Sequence, residues 1–265
     1  APGGVKSAMA VRRPASYLGQ MPPDLPPILA DWFAARGWTP RRHQMEMLDA
    51  AQAGCHALLV APTGAGKTLA GFLPTLTELI DNPGEGLPPI YVSPLTAQAV
   101  DVQRNLLTPI AEMDLPIRVE TRTGDTPSDR KARQRARPPQ ILLTTPESLS
   151  LLLSYPDSFL MFAGLKTIIV DEVHAFATQK RGDLLALSMA RLQAINPGLR
   201  RVALSATVAD VDGYRAWIAP DGDIDTVRAV IGEQGAEPNV AILIPDGRIP
   251  WSGHSGKYAV PQVMA

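Results

Sequence analysis

The chain has 265 residues, 45% hydrophobic and 19% charged, with a net charge of −1. That length allows one large domain or two small ones and buries a core without staples. With 21 glycines, 26 prolines and one cysteine, collagen-like, disordered and disulfide-rich classes are excluded.

The lone cysteine, Cys55, has no internal partner for a disulfide, which leads us to expect a reducing, cytoplasmic compartment. No apolar run approaches the ~20 residues needed to span a bilayer, so no membrane association is expected. Residues 1–10 carry no apolar segment of the secretory type. The near-neutral balance gives no support for a uniformly basic nucleic-acid clamp. Local patches and backbone amides can still hold phosphates on such a surface.

Residues 1–23 are rich in Pro and Gly and are expected to form a flexible N-terminal tail. Residues 24–36 place Leu25, Ile28, Leu29, Trp32 and Phe33 at spacings of three and four, which predicts a helix. Gly37 suits its C-terminal cap. Residues 41–53 predict a second helix with Met45, Leu48 and Ala51 on one face, ended by Gly54.

From there the pattern alternates. Short β-rich runs at 57–61, 90–93, 117–121, 140–144, 167–171 and 201–205 are separated by helical stretches near 67–80, 96–111, 127–136, 147–154, 183–194 and 208–219. The strands are continuous and apolar (Ala57-Leu58-Leu59-Val60, Ile168-Ile169-Val170), as in parallel sheets covered on both faces. This predicts an α/β fold, doubly wound, with a mostly parallel sheet and right-handed crossovers. Two further β-like runs, 226–231 and 240–244, flank a segment of linker composition at 232–239.

The strongest chemical signal is Ala61-Pro62-Thr63-Gly64-Ala65-Gly66-Lys67-Thr68, between an apolar strand and a helix. That is the context of a P-loop. Gly64 and Gly66 let the backbone wrap around oxyanions, and the helix N-terminus points its N–H groups at them. In such a loop Lys67 reaches the β- and γ-phosphates and the Thr68 hydroxyl ligates Mg²⁺. Ala61 stands where the general pattern has its first glycine.

Asp171-Glu172-Val173-His174 follows a later strand, at the edge where ligands bind in open α/β sheets. Asp171 is suited to hold Mg²⁺, and Glu172 to orient and deprotonate an attacking water. Ser205-Ala206-Thr207 ends another apolar strand and gains meaning only from its order after the first two motifs.

That order resembles the superfamily 2 helicases of the DExH type, which use the Ala-Pro-Thr-Gly variant of the P-loop. More narrowly the chain is similar to the large helicase-related (Lhr-type) proteins, including those associated with a DNA ligase. The residues behind that match are Trp38 to Gln44, Ser93-Pro94-Leu95 with Val100 to Leu106, Arg122 to Thr126, and Pro250 to Ser255.

The resemblance implies a first RecA-like ATP-binding domain over residues 24–235. It also implies a linker and the start of a truncated second RecA-like domain over 236–265. It implies ATP and Mg²⁺ as cofactors and single-stranded DNA as partner, RNA being the alternative. DNA repair would be the setting, with a DNA ligase or nuclease as a further partner. Gln44 matches the residue that reads adenine, its other reading being a surface glutamine on a helix. Trp38 either packs near the base or belongs to the core.

Ser93, Pro94, Leu95, Arg104, Thr123, Gly124, Asp125, Thr145 and Pro146 match nucleic-acid motifs. They form no base-reading set, so binding should be largely independent of sequence. Ser205 and Thr207 match the motif coupling nucleotide state to nucleic-acid grip, by hydrogen bonds toward Asp171 or His174. The basic run 130–137 either follows a phosphate backbone or is a solvated helix face. Without a second motor domain and its arginine finger, the chain is expected to bind ATP, hydrolyse it slowly and not unwind a duplex alone. A nucleotide-dependent binding module without productive turnover is the alternative from another class.

Overall fold

Alternate side chains of a strand point to opposite faces, so uninterrupted apolar strands demand cover on both sides. The computed structural model, which describes residues 25–82, 89–177 and 179–233, meets that demand. The sheet is built from β1 (His56–Val60), β2 (Pro89–Val92), β3 (Val119–Arg122), β4 (Ile141–Thr144), β5 (Thr167–Val170), β6 (Arg200–Ser205) and β7 (Val227–Ile231). The strands are ordered β3-β4-β2-β5-β6-β1-β7, and each pairing is parallel.

The helices are α1 (Pro27–Ala35), α2 (Arg42–Gln52), α3 (Lys67–Asp81), α4 (Thr96–Glu112), α5 (Ser128–Ala136), α6 (Pro146–Leu153), α7 (Ser158–Phe162), α8 (Lys180–Ile195) and α9 (Val211–Ile218). One core joins Leu59, Tyr91, Ile169 and Leu204 to Met47 of α2, Phe72 and Leu76 of α3, and Leu106 of α4. The other joins Leu58, Ile90, Val92, Ile168, Val170 and Ala203 to α6, α7, α8 and α9. Helix α1 adds a smaller cluster, setting Leu29, Trp32 and Phe33 against Leu73 of α3. This is the doubly wound, RecA-like architecture, with the strands' C-terminal ends along one edge. No helix among the described residues is long and apolar enough to cross a membrane.

The elements differ from the sequence-based expectation in places with local causes. Helix α8 starts three residues earlier than expected because Gly182 lies inside it. A Cβ at Gly182 would overlap the Phe176 carbonyl, so this glycine serves close packing and not termination. Helix α9 starts three residues later than expected, where the Asp210 carboxylate accepts the Gly213 N–H at 2.9 Å. Strand β3 is shifted two residues along, in register with β4 through Val119 opposite Ile141. Helix α7, only five residues long, is too short to show a period and was not expected. Residues 1–23, the 240–244 run, the 250–255 motif and the whole of the segment 236–265 lie outside the described residues.

Candidate nucleotide site and nucleic-acid cleft

Strand β1 runs into the turn 61–66, which starts α3. Gly64 and Gly66 have φ of +79° and +76°, the left-handed region that glycine enters without steric cost. Gly66 has a second constraint, since a Cβ there would come within 3.0 Å of Gln44 Nε2. Helix α2 therefore lies hard against the turn. His43 Nε2 donates to the Ala65 carbonyl at 2.9 Å, and Gln44 Oε1 accepts the Arg41 N–H at 2.8 Å. Burial lowers the His43 pKa and keeps the imidazole neutral. Gln44 is buried and not a surface residue.

Lys67 Nζ is buried without a hydrogen-bond partner, 3.7 Å from Glu172 Oε1. Glu172 Oε2 is buried and lacks an aligned hydrogen bond, although His174 Nδ1 lies 3.4 Å away. Glu172 itself has φ +47°, a backbone state costing an ordinary residue roughly 1–2 kcal/mol. Asp171 is buried, and its burial pushes the carboxyl pKa up. Two donors oppose that shift: the Tyr91 hydroxyl, which donates to Oδ2, and the Glu172 N–H, which donates to Oδ1 at 3.0 Å. Burial and the adjacent carboxylate push the Tyr91 phenol far above its ordinary range, so it stays a donor.

Thr63, Gly64, Gly66, Lys67, Thr68, Asp171 and Glu172 line one cleft of about 590 Å³. Ala65 lies buried behind it. Trp38, 56% exposed, also lines this cleft and is not a core residue. It stands edge-on to Trp32 at 5.7 Å, with the Arg36 guanidinium 5.4 Å from its ring. The buried Lys67 ammonium has no hydrogen bond, and the Glu172 carboxylate at 3.7 Å offsets its desolvation only by charge. A glycine turn at a helix N-terminus, Lys67, a hydroxyl at Thr68 and two carboxylates form a group that fits polyphosphate with Mg²⁺.

Beyond the carboxylates, His174 Nδ1 lies 2.9 Å from Ser205 Oγ. The Ser205 proton is committed to the Thr207 carbonyl at 3.0 Å. Nδ1 is thus the protonated nitrogen, donating to Ser205. The Ser205–Thr207 segment thus meets His174, which faces Glu172, and Asp171 takes its hydrogen bonds from Tyr91 and the Glu172 N–H instead.

A second cleft, about 480 Å³, lies over the ends of β2, β3 and β4 and brings together Pro94, Leu95, Gly124, Asp125 and Thr145. Ser93, Thr123 and Pro146 are buried and absent from its lining. The Ser93 hydroxyl is spent on the Leu95 carbonyl at 3.0 Å, and the Thr123 N–H on Thr126 Oγ1 at 3.0 Å. Thr145 caps α6, accepting the Ser148 N–H at 3.5 Å. Arg104 is exposed on α4, 3.9 Å from Asp101, and lines neither cleft.

Part of the basic run is also committed internally. Lys131 Nζ donates to the Gly124 carbonyl, Arg133 pairs with Glu120, and Arg135 pairs with Asp157 and stacks on Tyr155. Sequence reasoning missed Tyr91 and Arg181. Tyr91 sits in an apolar strand and reads as core. Arg181 sits where no helix was expected, so its neighbours in space were not legible.

The profile of the DEAD/DEAH box helicases matches residues 41–213. The Lhr helicase/uracil glycosylase of Escherichia coli is 36% identical over 245 residues, which is 85% of this chain and 16% of that protein. The Lhr helicase/probable uracil glycosylase of Mycolicibacterium smegmatis is 43% identical over 192 residues, 67% of this chain and 13% of that protein. A solved structure, Mycobacterium smegmatis helicase Lhr bound to ssDNA and AMP-PNP, superposes with a TM-score of 0.73 at 37% identity. That superposition covers 80% of this chain and 28% of the other. The chain thus spans well under a third of each of these relatives. With the P-loop, the Asp-Glu-Val-His strand end and the RecA-like sheet in place, the chain belongs to the DEAD/DEAH box helicases, as a first motor domain of the Lhr type.

Proposed function

We propose that this chain is the ATP-binding motor domain of an ATP-dependent helicase or translocase acting on single-stranded DNA. The observation that carries the reading is the buried Lys67 ammonium at the glycine turn, without a hydrogen bond and ion-paired with Glu172 at 3.7 Å. Thr63 and the backbone N–H groups of Gly64 and Gly66 cradle the phosphates, Ala65 holds the turn through its N–H to the Pro62 carbonyl at 3.1 Å, and Lys67 displaces toward the phosphates from Glu172. Thr68 and Asp171 hold Mg²⁺, which when bound neutralises phosphate charge. Glu172, released from Lys67, accepts the proton of the attacking water.

Gln44 reads adenine with the amide nitrogen its cap leaves over. His174, Ser205 and Thr207 connect the catalytic carboxylate to the next strand end, coupling nucleotide state to grip. The strand lies in the Pro94–Gly124–Thr145 cleft, and the relative solved with ssDNA and AMP-PNP supports both ligands. A setting in DNA repair, beside a ligase or nuclease, belongs to the same reading and is checked by co-purification.

The direct test is ATP hydrolysis with and without single-stranded DNA or RNA. Lys67→Ala should abolish nucleotide binding. Glu172→Gln should retain binding and lose turnover by about 10²-fold or more. Wild-type turnover left intact by both substitutions would overturn the assignment. ATP binding with no turnover at all would favour a nucleotide-gated binding module.

A further inference from the structure

The second cleft is formed by three segments that come from different crossovers: the turn after β2, the turn after β3, and the start of α6. Among the described residues lining it, Arg181 is the sole cation, against the carboxylates of Asp125 and Glu147. Arg181 Nε donates to Glu147 Oε1 at 2.5 Å and Nη2 donates to Glu147 Oε2 at 3.1 Å, a bidentate fork. The same Nη2 donates to the Pro94 carbonyl at 2.9 Å. One guanidinium therefore ties the β2 turn to the α6 N-terminus, with its charge already matched by Glu147.

Its own base is fixed just as firmly. Gly182 packs so closely on the Phe176 carbonyl that no side chain fits there. Gln179 and Gly182 continue the chain of hydrogen bonds away from Phe176. Phe176 is fully buried four residues after Glu172, and the Arg181 guanidinium stands 5.9 Å from its ring. The guanidinium is thus anchored to the chain that leaves the catalytic carboxylate.

We infer that Arg181 is a positioning residue for nucleic acid: it sets the spacing between the Pro94 turn and helix α6, and does not itself neutralise a phosphate. A cleft with one already compensated cation grips a strand by hydroxyls and backbone N–H groups held at fixed separation. Lysine cannot replace the fork, because a point charge does not bridge Glu147 and Pro94 together. The inference rests on the reading of this cleft as the strand-binding surface.

The test is anisotropy of a labelled oligo-dT titrated with the 265-residue chain over a series of salt concentrations. AMP-PNP affinity, measured in parallel, serves as the check on folding. Arg181→Ala should weaken strand binding about tenfold with the slope of log Kd against log salt unchanged. Arg181→Lys, which keeps the charge and the stem, should weaken it severalfold.

A slope reduced by about 0.7, the value for one phosphate on a single strand, would overturn the inference in favour of direct contact. Wild-type affinity in both variants would overturn it outright. Failure of the wild-type chain to bind the oligonucleotide would overturn the strand-binding reading itself, a result distinct from the other two.

Discussion

The Tyr91 hydroxyl reaches from β2 to Asp171 at the end of β5, and its ring stacks on Phe72 at a centroid distance of 5.2 Å. Removing the hydroxyl alone leaves a buried carboxylate oxygen short of one donor, a deficit of about 1–3 kcal/mol. Tyr91→Phe should lower the stability of the chain by that amount in urea unfolding, with the ring packing retained. An unchanged midpoint would mean that solvent replaces the phenol. That Lys67, Thr68, Asp171 and Glu172 share one cleft was legible in the sequence, because a glycine turn and a carboxylate pair that each follow a parallel strand end on the same sheet edge. Tyr91 was not, because a single tyrosine between Ile90 and Val92 carries the same pattern whether it fills a core or holds a carboxylate. Ser93 is the converse, a motif residue whose hydroxyl is turned inward to its own turn.

Helix α2 acts on the glycine turn through His43, so its protonation bears on the stability of that contact. Burial lowers the His43 pKa. The unfolded chain, with histidine near pH 6.5, therefore takes up a proton that the folded chain refuses. Stability is full above about pH 6.5 and is lost as pH falls below it, by up to about 1.4 kcal/mol per pH unit for one such histidine. His56, whose pKa burial also lowers, adds to the same loss. Thermal unfolding of His43→Gln should therefore fall less steeply between pH 7 and 5 than that of the wild type, while retaining a His56 component. Equal slopes would remove His43 from the acid response. At this scale the strand–helix alternation was readable from apolar runs and turn residues. The starts of α8 and α9 were not, because a close contact at Gly182 and a cap at Asp210 decide them in three dimensions.

Ile168 and Ile169 are neighbours in the chain, yet they belong to different cores on opposite faces of the sheet. Ile168→Val and Ile169→Val should each cost about 0.5–1.5 kcal/mol. The double variant should equal their sum to within about 0.5 kcal/mol, since the two side chains share no partners. A larger discrepancy in urea unfolding would show that the faces communicate through the strand. The parallel sheet and its two covers were evident from the sequence, whereas the three-segment cleft depends on crossovers that bring distant loops together.

Glu172 sets two effects against each other, since its left-handed backbone suits glycine while its carboxylate faces the buried Lys67 ammonium at 3.7 Å. Glu172→Gly should relieve roughly 1 kcal/mol of backbone strain but leave the buried Lys67 ammonium without the carboxylate it faces, so the stability measured in urea unfolding should rise by less than that amount or fall. A bend that glycine would hold with less strain is thus held by the residue whose side chain answers Lys67, and glycine substitution there changes strain and charge compensation together.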